Sequence, residues 1–125
     1  MSKTSQSGSG WWLLMIALIG GASLPTFSQA DHLSYADIYP LLIDRCLNCH
    51  HNPGAPNGLS LETYELMMQG SNNGMVVIAG DSSNSEIIKR IRGERHPRMP
   101  MNGPPYLNEI EIKLMMSWID AGAPK

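Results

Sequence analysis

Cys46-Leu47-Asn48-Cys49-His50 constrains this chain more than any other stretch. Its two cysteines are the only ones in the sequence, and they stand three positions apart with a histidine directly behind. On a helical turn, residues at that spacing share a face. Two thiols presented together can add to the two vinyl groups of one porphyrin, and the adjoining imidazole can take the iron from the same side. The pattern is that of a c-type haem attachment site. Other uses of a cysteine pair fit less well. A dithiol redox site belongs with a βαβ pattern that is not visible here. Structural zinc needs four ligands, and no second cysteine pair exists. A disulfide across so short a loop contributes little entropy.

The N-terminus predicts export. Lys3 precedes a mostly apolar run from Trp11 to Leu24, and Ser28-Gln29-Ala30 places small residues at the −3 and −1 positions before Asp31. Residues 1–30 are therefore expected to be a secretory signal peptide and residues 31–125 the mature domain, in the periplasm. An uncleaved membrane anchor is the alternative, although the apolar run falls short of the roughly 20 residues a span needs. Export also suits the chemistry. Free thiols in an oxidising compartment tend to pair, and bonding them to haem removes that hazard.

The predicted mature chain has 95 residues, enough for one domain with a modest core. A covalent macrocycle would enlarge that core. The full chain carries a net charge of −2, which gives no sign of nucleic-acid binding. Positive charge is nevertheless concentrated at Lys89, Arg90, Arg92, Arg95 and Arg98. The segment Lys89–Arg98 is a candidate docking patch for an acidic redox partner, a candidate site for haem propionates, or simply a solvated face.

The pattern is helical, with Gly/Pro-rich joints. A first helix is expected from about Ile38 to Cys46, capped by Asp37 so that Pro40 falls in the first turn; Ser34 is an alternative cap that would leave Pro40 deeper inside. A second is expected from about Leu61 to Gln69, between Ser60 and Gly70. Met75 to Ile78 is a short apolar extended run. Ser83-Asn84-Ser85-Glu86 has capping-box spacing and starts a helix ending before Gly93. Asn108 and Glu111 open a last helix running to about Ala121 and stopped by Gly122, with Ile110, Leu114 and Trp118 as its apolar stripe, flanked by Met115 and Ile119.

Iron held by His50 has a second face, which wants a thioether or an imidazole. Met99 stands in Arg98-Met99-Pro100, where the proline stiffens the backbone and lowers the entropy lost on ordering. Met101 is its rival, because residues two apart in an extended segment face the same way. His96 would instead give bis-imidazole ligation.

Taken together, these residues resemble the class I c-type cytochrome superfamily, and within it the planctomycete-type cytochrome c domains. The resemblance rests on Ile38-Tyr39-Pro40-Leu41-Leu42, the Cys46–His50 motif, Gly58-Leu59-Ser60-Leu61, Gly80-Asp81-Ser82-Ser83-Asn84-Ser85, Arg98-Met99-Pro100 and Trp118-Ile119-Asp120-Ala121-Gly122-Ala123. Where such domains often carry Pro-Pro, this chain has Pro100-Met101-Asn102, which supplies the second methionine. The resemblance implies a small all-α cytochrome c-like fold around one covalent haem c, with terminal helices crossing beside it. It implies thioether bonds at Cys46 and Cys49, His50 as proximal ligand and Met99 as distal ligand. The expected function is one-electron transport by a periplasmic monohaem cytochrome, not an enzyme, that meets redox proteins transiently or serves a membrane-bound redox complex. The alternatives are a haem enzyme of peroxidase type or a gas sensor with an open sixth site, and a haem subunit of a larger redox complex.

Overall fold

A capping interaction starts the first helix three residues earlier than its proline suggests. The computed structural model describes residues 33–125; the predicted signal segment 1–30 and its cleavage point lie outside them. The N–H and hydroxyl of Ser34 both donate to Asp37 Oδ2, at 2.7 and 2.8 Å. Helix α1 therefore spans Tyr35–Arg45, with Ser34 as its cap, in place of the expected Ile38–Cys46. Asp37 belongs to the first turn, where a carboxylate also suits the helix dipole. Pro40 consequently sits inside the helix. It cannot donate to the carbonyl of Ala36, but both residues are exposed, so solvent can take that bond. Ile38, Leu41 and Leu42 form the buried face.

Helix α2 is Tyr64–Gln69, shorter than expected. Thr63 caps it, its hydroxyl accepting from Leu66 N–H at 3.2 Å, whereas the predicted cap, Ser60, is buried and donates to Glu62 at 3.0 Å. Gly70 ends α2 as predicted, and no other residue fits there. Its φ is +82°, and a Cβ would stand 2.4 Å from the Gly74 carbonyl oxygen. The run Met75–Ile78 forms no strand; among the described residues the only β-type pairing is the isolated bridge of Ser71 with Gly74. Val76 and Val77 are buried all the same.

Helix α3 spans Glu86–Arg92 and stops at Gly93 in the left-handed region. Its cap is Ser85 rather than Ser83. The buried Ser85 hydroxyl donates to the Asp81 carbonyl at 2.8 Å and accepts from Ile78 N–H at 2.8 Å, which closes the preceding turn. Helix α4 is Glu109–Asp120, opened as predicted by Asn108 and Glu111. Its buried stripe keeps the expected Trp118 with the flanking Met115 and Ile119, but not Ile110 or Leu114. Ile110 is 80 % exposed and Leu114 half-buried, and the inward residues are Ile112, Met115, Trp118 and Ile119. The two readings are rotated about the same helix, because α4 must face both α1 and α3, against which it packs.

The described residues thus form an all-α fold of four helices, one 3-10 turn at Pro56–Gly58 and long loops. Its C-terminal tail is part of the core. Trp118 Nε1 donates to the Pro124 carbonyl at 2.8 Å, Tyr64 Oη donates to the Ala123 carbonyl at 3.0 Å, and Tyr35 N–H donates to Pro124 at 2.9 Å. The rings of Tyr39, Tyr64 and Trp118 gather around Tyr35, with centroids 5.4, 5.8 and 6.4 Å away. This knot fixes α1 against α4 and leaves the other side of α1's C-terminus to the site.

Candidate functional site

Immediately after α1 the chain winds one further turn. The Cys46 carbonyl accepts from Cys49 N–H at 3.1 Å and from His50 N–H at 2.9 Å. The two cysteines and the histidine therefore share one turn, as their spacing suggests. Both thiols are free; Cys49 is exposed and Cys46 half-buried. Burial pushes the Cys46 thiol up to about 11, despite the Arg45 charge beside it.

His50 is held from two directions. Its ring Nδ1 lies 3.0 Å from the Leu59 carbonyl oxygen, and its backbone carbonyl accepts from Leu61 N–H at 2.9 Å. A carbonyl can only accept, so Nδ1 carries a proton, and in the neutral ring Nε2 is the nitrogen left with a lone pair. That is the tautomer a metal-ligating imidazole needs. The Gly58–Leu61 segment thus orients His50 through main-chain groups, which side-chain identities do not reveal.

Beside this turn lies a cavity of about 520 Å³, within the roughly 300–1,000 Å³ of small-molecule and cofactor sites. Cys46, His50, Met99 and Met101 all contribute to its wall, together with apolar Leu59, Leu61, Val76, Ile87 and Ile91. Cys49 is not among the lining residues. The two methionines differ in setting. Met99 is half-buried, packs against the main core, and donates its N–H to the Arg90 carbonyl at 3.1 Å. Met101 is 71 % exposed. His96 is exposed and does not line the cavity.

The basic segment is divided by the structure. Arg90 and Arg95 reach the cavity wall and share Glu86, at 2.7 and 3.7 Å. Arg92 pairs with Glu94 at 3.0 Å, and Arg98 stacks over the Tyr106 ring at 3.9 Å. Sequence reasoning did not single out Glu86 as part of the site. Its position four residues before Arg90 on a helix was the available signal.

The arrangement fits a haem: an apolar cavity, a tautomer-locked imidazole, a thiol and a thioether in its wall, and two arginines to meet anionic substituents. The comparisons agree. Residues 46–103 match the family model described as planctomycete cytochrome C. The matched segment begins at the first cysteine and runs past Met99 and Met101, so the resemblance to planctomycete-type cytochrome c domains holds over the whole wall of the cavity. Helices α1 and α4 lie outside it. No curated protein and no solved structure matches the chain. No helix among the described residues is long and apolar enough to cross a membrane.

Proposed function

We propose that the segment similar to planctomycete cytochrome c, residues 46–103, binds one haem c, and that the protein is a periplasmic one-electron carrier. When bound, the haem supplies an iron that cycles between ferrous and ferric states. Everything else falls to the chain. Cys46 and Cys49 hold the macrocycle through thioethers. His50, oriented by the Leu59 carbonyl, is the proximal ligand. Met99, half-buried and tethered to Arg90, is the distal one. The apolar wall keeps water from the metal and, with a thioether ligand, favours the ferrous state. Ligands held on stiff elements move little when charge changes, which suits rapid electron transfer.

The observation that carries this reading is the gathering of Cys46, His50 and Met99 in the wall of one cavity. The setting of Met99 supports a closed sixth site, hence a carrier rather than a haem enzyme or gas sensor. The partner is a redox protein met through a small transient interface, with the basic segment Lys89–Arg98 as the candidate contact. Absorption spectroscopy and intact mass of the exported protein test the proposal together. The expected result is the mass of the mature chain plus one haem, low-spin iron, and the weak long-wavelength band of methionine–iron ligation. A colourless product with two titratable thiols would overturn it.

A further inference from the structure

The loop that carries Met99 is tied at both ends. At its front, beside the Met99 N–H bond to Arg90, Arg90 Nη1 donates to the Pro97 carbonyl at 3.4 Å. At its back, Arg45 Nη2 donates to the Pro105 carbonyl at 3.2 Å. Arg45 is the last residue of α1 and directly precedes Cys46. Its side chain is mostly buried, and Nε lies 4.0 Å from the carboxylates of Asp44 and of Glu111, in the first turn of α4. With Pro100, Asn102 and Pro105 it also lines a second, smaller cavity of about 100 Å³. One side chain thus joins the end of α1, the segment following Met99 and the start of α4.

We infer that Arg45 is a positioning residue for the distal ligand: it latches the Met99 loop to the helix that ends at the haem-attachment motif. The inference rests on the His50/Met99 ligation proposed above. The loop holds prolines at 97, 100, 104 and 105, and proline's fixed φ makes such a segment stiff. Between Pro105 and Met99, Gly103 is held by its N–H bond to the Pro100 carbonyl at 3.2 Å and by the Tyr106 ring against it, so restraint at Pro105 is passed along the loop to Met99. Displacing the Met99 thioether requires the loop to move, and moving it breaks a hydrogen bond from a charged donor. A bond of that kind is worth about tenfold in an equilibrium constant.

Imidazole competes with the thioether for ferric iron, so its affinity reads how firmly the loop is held. Titrating the ferric holoprotein with imidazole, and following loss of the methionine–iron band, tests the latch. Arg45→Gln and Arg45→Leu are each expected to bind imidazole about tenfold more tightly than the parent. Lys113→Gln, which removes the same charge from an exposed position on α4, is expected to match the parent. Unchanged affinity in the Arg45 variants overturns the inference, and so does equal tightening in Lys113→Gln. If Arg45→Gln does not accumulate as holoprotein, Arg45→Leu, which keeps the apolar stem, decides by the same criterion. A parent protein without the methionine–iron band would overturn the ligation itself and the latch with it, an outcome distinct from a parent band that the variants leave unmoved.

Discussion

Asp120 accepts both hydrogen bonds that Ser82 can donate: Oδ1 takes the backbone N–H at 2.8 Å, and Oδ2 takes the hydroxyl at 2.9 Å. Beside it, Gly80 N–H donates to the Ile119 carbonyl at 2.7 Å. The loop before α3 is thereby strapped to the last turn of α4. Ser82 is buried, so removing its acceptor leaves two donors with little access to water. Asp120→Ala is expected to lower the unfolding free energy of the holoprotein by about 2 kcal/mol. Asp120→Asn keeps one carbonyl-type acceptor and should cost about half as much. Urea unfolding of the three proteins checks the order.

Separate alanine substitutions distinguish the two methionines of the cavity wall. Met99→Ala is expected to abolish the methionine–iron band, admit exogenous ligands and lower the reduction potential, since a thioether favours ferrous iron. Met101→Ala is expected to leave the spectrum unchanged, because Met101 lacks the burial and backbone tether of Met99. The reverse pattern would assign the distal role to Met101.

Tyr35 makes the fold sensitive to alkali. Burial, reinforced by Tyr39 and the Glu65 carboxylate, pushes its hydroxyl from 10.0 up to about 12. The folded state therefore keeps a proton that the unfolded chain releases. This contribution to stability is complete below pH 10.0 and is lost as pH rises toward about 12. Tyr35→Phe removes the bond to the Leu61 carbonyl, 2.9 Å long, and is expected to cost about 1 kcal/mol at neutral pH. Its melting temperature should then fall less steeply than the parent's above pH 10.0. Parallel declines would exclude Tyr35 as the source.

The start of α1 responds at the other end of the scale. The Ser34 N–H and hydroxyl hold the exposed Asp37 carboxyl below its ordinary value of 3.8. A depressed folded value means that the stabilisation is present above pH 3.8 and is lost as pH falls through the folded value. Asp37→Asn is expected to melt below the parent at neutral pH, with the gap closing in acid. Thermal melts monitored by circular dichroism across that range are the check.

The helical class, the stops at Gly70 and Gly93, and the Asn108–Glu111 start of α4 were all legible from residue identity, because each depends on neighbours within a few positions. The Cys46–His50 motif was legible for the same reason, since its geometry is that of one turn. Asp37 misled as a cap because Ser34 competes for the same local role, and two donors on one carboxylate outweigh a proline left in an exposed helix. The Ile110 stripe misled because periodicity shows that an amphipathic face exists, not how it turns between two partners.

What residue identity determined by itself was a helical chain bearing one haem-type motif and three possible distal ligands. Only the tertiary structure gives those three different settings: Met99 is half-buried in the cavity wall, Met101 lines the same wall but is mostly exposed, and His96 does not line it. It alone brought the Leu59 carbonyl to His50, Asp120 to Ser82 and Arg45 to Pro105. The reason is physical: local hydrogen bonds and side-chain spacing are written in adjacent residues, whereas burial and main-chain contacts between distant segments arise only when the helices pack.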